Sequence, residues 1–389
     1  MPRALLPLLA ITFVDVLGFT LLIPILPFYA EHFGANPTTV GAIYSTVALC
    51  SLISSPFWGN LSDRIGRKGV LIAAQVFAFL GFTLLASGTA LWTVFAARAI
   101  EGLGGGGLGI TQAYVTDVTT PQQRARAFGL IGATFGLGFL IGPALAGVLV
   151  RFGYHVPFAV AAGLALLTIV MTLTLLPESK GAVKTAPTFT EIRSSLRSPL
   201  LGRLILTQFA FAIAFTSWVT VFALWAERVL GFGPQQTAFV FIVSSIVGIV
   251  MQVGFIGPLV DRFGEGRIAL AGLFCALVAY AGVGFVTAPL AVYAFIVLWS
   301  MAGALIRPSL GTLISGAAPP DQRGTILSVN DSLNNLAFFL SPFVSTTVLR
   351  VNPHLTGIVP AAFTCVALGI GFRVMIGPSP PEAAEAEAA

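Results

Sequence analysis

Five ionisable side chains stand inside long apolar runs of this chain: Asp15, Arg98, Glu101, Arg307 and Asp331. A charge in such surroundings is expensive, so each is a candidate for moving or holding something charged. Asp15 lies about ten residues into the first run, roughly 15 Å along a helix at about 1.5 Å per residue. Arg98 and Glu101 are three residues apart and share a helical face. Burial among apolar groups favours a protonated carboxyl, whereas a neighbouring guanidinium favours an ionised one. A carboxyl balanced between those influences can take up and release a proton. Asp15, Arg98 and Glu101 are therefore the proton-coupling candidates, with either Asp15 or Glu101 as the carrier. The structural alternative is a fixed Asp15–Arg98 pair joining the first and fourth runs. Arg307 and Asp331 sit at depths that agree to within a helical turn and are read as a second buried pair. Asn330 and Asn334, and Asp331 and Asn335, are each four residues apart. They could present polar strips to a cavity or act as glue between helices. Gln208, Trp218 and Gln252 are further candidates for a substrate cavity.

The elements that must position these groups follow from composition. Of 389 residues, 56% are hydrophobic and only 9% charged, against about 25% charged in soluble domains. That balance suits lipid, and runs able to cross roughly 30 Å of hydrocarbon as helix fall near 5–29, 39–61, 70–88, 91–114, 124–150 and 156–177. A second set falls near 201–226, 236–260, 268–287, 289–313, 323–348 and 355–377. Residues 178–200 form a polar linker between two bundles of six, 1–177 and 201–377, and the Ala- and Glu-rich tail 378–389 is expected to be disordered. The N-terminus passes into the first run without a small-residue cleavage site, so a retained span is expected rather than a signal peptide. With the N-terminus inside, fifteen of the 20 Lys and Arg residues fall on cytoplasmic segments and three, Arg151, Arg228 and Arg350, on outer loops. This bias places both termini in the cytoplasm. The net charge of +5 is thus topological and does not point to nucleic acid. Cys50, Cys275 and Cys365 lie in apolar runs without metal-ligand spacing, and His32, His155 and His354 fall at outer loops, so no metal or other cofactor is expected.

The two bundles echo each other. Gly59 to Gly69 reads GNLSDRIGRKG, and Gly257 to Arg267 reads GPLVDRFGEGR. Asp63 and Asp261 differ by 198 positions, and Pro121 and Pro320, Pro143 and Pro342, and Arg151 and Arg350 each by 199. Six spans per repeat give two halves of the same orientation, related by a pseudo-two-fold axis along the membrane normal, with a substrate path between them. Gly59 and Gly66 permit tight backbone paths, Asp63 can cap a helix N-terminus, and Arg64, Arg67 and Lys68 can bridge to the facing half or to anionic lipid. Together with Asp261 and Arg262 these residues are read as a cytoplasmic gate. The plainer reading is a basic loop that only sets topology. Gly104 to Gly107 is no phosphate loop, since no Lys-Ser/Thr follows. It is expected to allow close helix approach.

GNLSDRIGRKG resembles the loop between helices 2 and 3 of the major facilitator superfamily. Arg98, Glu101, Gly102 and Gly104 resemble the fourth-helix motif of its proton-coupled members, with Glu101 where Gln is usual. GATFGLGFLIGPALAG, Gly132 to Gly147, resembles the fifth-helix antiporter motif through Gly138, Gly142, Pro143 and Gly147. With the opening FVDVLGFTLLIPILP, Phe13 to Pro27, these stretches are similar to the tetracycline-efflux branch of the 12-helix drug:proton antiporters. The resemblance implies an all-α membrane protein of the major facilitator fold, 12 transmembrane helices in two six-helix bundles. It also implies a proton-driven export cycle for a lipophilic small molecule, without a cofactor, in a bacterial inner membrane. Members that export metal–tetracycline chelates carry acidic residues in the third and ninth spans. Here those spans have none, which points away from such chelates as cargo. A monomer is expected. A lipid or lysolipid flippase and a proton-coupled symporter of a small metabolite are rivals within the same fold. A membrane receptor or scaffold has no use for the intramembrane charges, and an enzyme would need a nucleophile–base or metal constellation at workable spacing.

Overall fold

The computed structural model describes residues 5–105, 107–179, 197–318 and 323–376. Residues 180–196 of the expected linker, the tail 378–389 and the side chain of Asp331 lie outside the described residues. The described chain is helical throughout, with no strand among the described residues.

Proline and glycine set the element boundaries. The first run divides into α1 (Leu5–Leu22) and α2 (Leu26–His32). Pro24, which lacks an N–H, lies in the break and interrupts the helical ladder. Next come α3 (Pro37–Ile65) and α4 (Arg67–Ser87), then α5 (Leu91–Leu103) and α6 (Gly107–Val118). They are followed by α7 (Pro121–Leu149) and α8 (His155–Leu175). Pro37 opens α3 at a position where its missing N–H costs nothing, and the Asn36 side chain accepts from Thr39 N at 3.0 Å. The second half holds α9 (Pro199–Leu230), α10 (Pro234–Val250), a π-helical turn (Met251–Phe255) and α11 (Ile256–Phe263). It ends with α12 (Glu265–Gly282), α13 (Pro289–Ala317), α14 (Arg323–Val351) and α15 (Ile358–Ile376).

Ten helices among the described residues are long and apolar enough to cross a membrane. The other two of the twelve expected spans differ for identifiable reasons. The fourth, expected as one helix over 91–114, breaks at its glycine run into α5 and α6. The eleventh, α14, has 29 residues but includes Asn330, Asp331, Asn334 and Asn335, which lower its hydropathy. Large apolar side chains such as Ile53, Phe57, Val253, Phe285 and Leu290 are exposed, as lipid contact requires.

By contact the chain forms two compact units, 1–186 with 231–242, and 187–230 with 243–389. Within the first, α4 packs on α8 and α5, and α1 on α7 and α8. Within the second, α12 packs on α15 and α13, and α9 on α14 and α15. Counted as spans, both units join third to sixth, third to fourth, first to fifth and first to sixth. The sequence repeat is therefore also a repeat of packing.

Candidate functional site

Asp15 is half-buried on α1. Its Oδ2 accepts from Gln75 Nε2 on α4 at 3.3 Å, and the Thr168 hydroxyl on α8 is a second polar neighbour. Gln75 is 4% exposed, and its own carbonyl oxygen is buried without a partner. The carboxylate is thus seated where three helices converge, among uncharged donors.

Arg98 is not the partner of Asp15. Its guanidinium pairs with Glu101 on the same helix, one turn on, and is 2% exposed. The fixed pair between the first and fourth spans gives way to a pair within α5, as the three-residue spacing favours. Arg98 Nε remains buried without an acceptor, and the Tyr44 phenol on α3 lies within electrostatic reach of the guanidinium. A Cβ at Gly81 would sit 3.0 Å from Ala97 O and 3.3 Å from Glu101 Cβ, so this glycine sets how closely α4 approaches the pair.

The glycine run that follows allows close helix approach, as expected. Cβ atoms at Gly102 and Gly105 would lie 2.6 Å from Val47 O and 2.9 Å from Ser51 Cα on α3. The carbonyls freed at the break are satisfied from the same helix. Ser54 Oγ donates to Gly102 O at 3.0 Å and Trp58 Nε1 to Leu103 O at 2.6 Å.

At the first Asp-Arg turn, Gly66 has φ +105°, and a Cβ there would overlap the Glu178 carboxylate. Arg67, 3% exposed, pairs with Asp63 and with Asp117 on α6, Nε to Oδ2 3.0 Å, and donates to Ser62 Oγ at 3.0 Å. Lys68 Nζ donates to Leu173 O at 2.8 Å, and Lys68 N to Glu178 Oε1 at 3.2 Å. These partners all belong to the first unit. Arg64 is exposed and Gly59 half-buried. Asp117 and Glu178 complete the turn and were not foreseen. Each stands alone at the end of its run, and no sequence spacing ties it to Arg67. The second turn keeps the left-handed glycine, Gly264 at φ +77°, but not the clamp. Asp261 and Arg262 are both exposed, with the Arg262 guanidinium 5.3 Å over the Phe263 ring.

Two of the fifth-span glycines, Gly138 and Gly142, face α1. A Cβ at Gly138 would overlap Val16, and one at Gly142 would overlap the Thr20 hydroxyl. Thr20 Oγ1 donates to Gly138 O at 2.9 Å, and Pro143, one residue past Gly142, is buried. A Cβ at Gly147 would stand 3.0 Å from Ala238 Cβ.

In the second unit Arg307 is exposed on α13, its guanidinium 4.1 Å over the Phe215 ring. The expected Arg307–Asp331 pair lies outside the described residues. Asn330 and Asn334 are half-buried and Asn335 is exposed. Gln208 is half-buried with Oε1 unpartnered. Trp218 is 3% exposed and packs in an aromatic cluster with Phe222, Trp225 and Tyr280. Gln252 is exposed on the π-helical turn.

The family model described as Major Facilitator Superfamily matches residues 8–342. Multidrug resistance protein 2 of Bacillus subtilis (strain 168) is 29% identical over 377 residues, 93% of each chain. Tetracycline resistance protein, class B, of Escherichia coli is 26% identical over 383 residues, 95% of each. Among solved structures, a POT family transporter in complex with a thioalcohol conjugated peptide superposes with a TM-score of 0.80 at 16% identity, covering 97% of this chain and 96% of that one.

Proposed function

The chain belongs to the Major Facilitator Superfamily, a family of membrane transporters, and on that premise we propose a proton-coupled antiporter that exports lipophilic small molecules by alternating access. The observation that carries this reading is the Asp15 carboxylate, set in an apolar span with neutral partners, Gln75 and Thr168. Such a carboxyl can change charge without stranding a counterion. Glu101 is different. Its protonation would leave the buried Arg98 guanidinium uncompensated, at a cost of about 3–5 kcal/mol for a broken buried pair. We therefore assign proton carriage to Asp15 and a holding role to the Arg98–Glu101 pair.

In the cycle, Asp15 takes a proton from the outer side and releases it inside, and cargo leaves in exchange. The Arg67 cluster acts as the cytoplasmic gate of the first unit, and the seam of α7 against α1 restrains proton leak. Both termini lie in the cytoplasm, as the distribution of Lys and Arg supports. The energy comes from the proton gradient alone, and a single chain suffices. Similarity to multidrug and tetracycline resistance proteins of bacteria supports drug-like cargo and a bacterial plasma membrane. The absence of Asp and Glu from residues 70–88 and 268–287 argues against metal–tetracycline chelates.

The test is uptake into liposomes under an imposed pH gradient, with cationic, neutral and anionic lipophilic dyes. Wild type is expected to accumulate at least one dye. Asp15→Asn should lose gradient-driven uptake about tenfold or more while still binding the dye. Undiminished gradient-driven uptake by Asp15→Asn would overturn the assignment of the carrier, and undiminished uptake by both Asp15→Asn and Glu101→Gln would overturn the coupling scheme.

A further inference from the structure

The second unit carries a charged and aromatic arrangement that proton coupling does not use. Arg307 on α13 lays its guanidinium 4.1 Å over Phe215 on α9. Phe215 stacks on Trp299, centroids 5.0 Å apart and planes 13° from parallel. Trp299 Nε1 donates to the Tyr280 hydroxyl at 3.0 Å. Behind this stack Trp299, Tyr280, Trp218, Trp225 and Phe295 wall a small apolar hollow of about 10 Å³, room for a single water-sized sphere. Trp225 is wholly buried, and its Nε1 donor has no acceptor.

We propose that this arrangement is a cargo subsite for anionic amphiphiles. A carboxylate or sulfonate meets the N–H edge of Arg307, and the apolar body lies alongside the edge of the Phe215–Trp299 stack, whose facing ring surfaces are already taken by the guanidinium and by each other. Ring faces alone would suit a cation, but here a guanidinium already occupies one face of Phe215 and repels a second positive charge. Stacking takes up one face of the guanidinium and leaves its N–H edge for a planar anion, which arginine binds through two parallel hydrogen bonds. Among the described residues no carboxylate pairs with Arg307. A charge at this depth is retained at a cost and marks a pathway for charge.

The proposal rests on the transporter reading but is tested without a gradient. Equilibrium dialysis of the full chain in zwitterionic-lipid nanodiscs would compare a naphthalenesulfonate with a naphthyl-trimethylammonium of equal size. Wild type should bind the sulfonate at least tenfold more tightly. Arg307→Gln should lose about tenfold of that affinity and leave cation binding unchanged, and Arg307→Lys should recover part of it. Tighter binding of the cation by wild type, or sulfonate affinity of Arg307→Gln within twofold of wild type, would overturn the subsite. The wild-type comparison stands even if a variant fails to fold. Asp15→Asn should bind the sulfonate normally, so failure of proton coupling and failure of this subsite give different results.

Discussion

Gly142 and Gly132 lie on the same helix, yet a methyl group would meet very different surroundings at each. At Gly142 it would collide with the Thr20 hydroxyl, and at Gly132 it would meet nothing within 4 Å. Gly142→Ala should therefore lower stability by about 1–3 kcal/mol, the usual cost of overpacking, whereas Gly132→Ala should be neutral or slightly stabilising. Thr20→Ala should recover part of the Gly142→Ala loss, and thermal unfolding in detergent would show it. The sequence alone pointed to both glycines but could not rank them, because rank depends on what the other helix presents. Gln75 is the opposite case. It is the only amide in residues 70–88, so the sequence carries a signal for it, but an amide is cheaper to bury than a charge and stands out less.

The broken fourth span shows what hydropathy hides. Glycine reads as mildly apolar, so residues 91–114 resemble a continuous crossing, yet four successive glycines give little to hold a helix together. What compensates is tertiary. Ser54 and Trp58 of α3 donate to the carbonyls the break exposes. Trp58→Phe keeps the ring and removes the donor, so it should cost about 1–3 kcal/mol, the penalty for an acceptor left unsatisfied, read as a lower unfolding temperature. An unchanged unfolding temperature would mean that solvent or lipid headgroups satisfy Leu103 O instead. The spans themselves were legible because lipid demands a long apolar run. The partners of Arg67 were not, because Asp117 is 50 positions away and only folding brings it close.

Across the described residues, one packing scheme appears twice, while the two Asp-Arg turns differ. The first holds a buried arginine between two carboxylates, and the second leaves Asp261 and Arg262 exposed. Asp117→Asn should thus destabilise the protein by about 1–3 kcal/mol, as loss of a charged hydrogen-bond partner does, because Asp63 still compensates Arg67. Asp261→Asn should stay within about 0.5 kcal/mol, as surface changes do. Equal effects in paired melts would show that the turns remain equivalent. The fit of Val16 and Thr20 into Gly138 and Gly142, with the Thr20 hydroxyl shared between Val16 O at 2.8 Å and Gly138 O at 2.9 Å, has a mechanical consequence. Thr20 stands five residues past Asp15 on one rod, and Gly138 lies in the close-fitting joint of another. Neither rod can slide without hauling its neighbour, so the proposed proton carrier and the proposed seal travel as a single moving part.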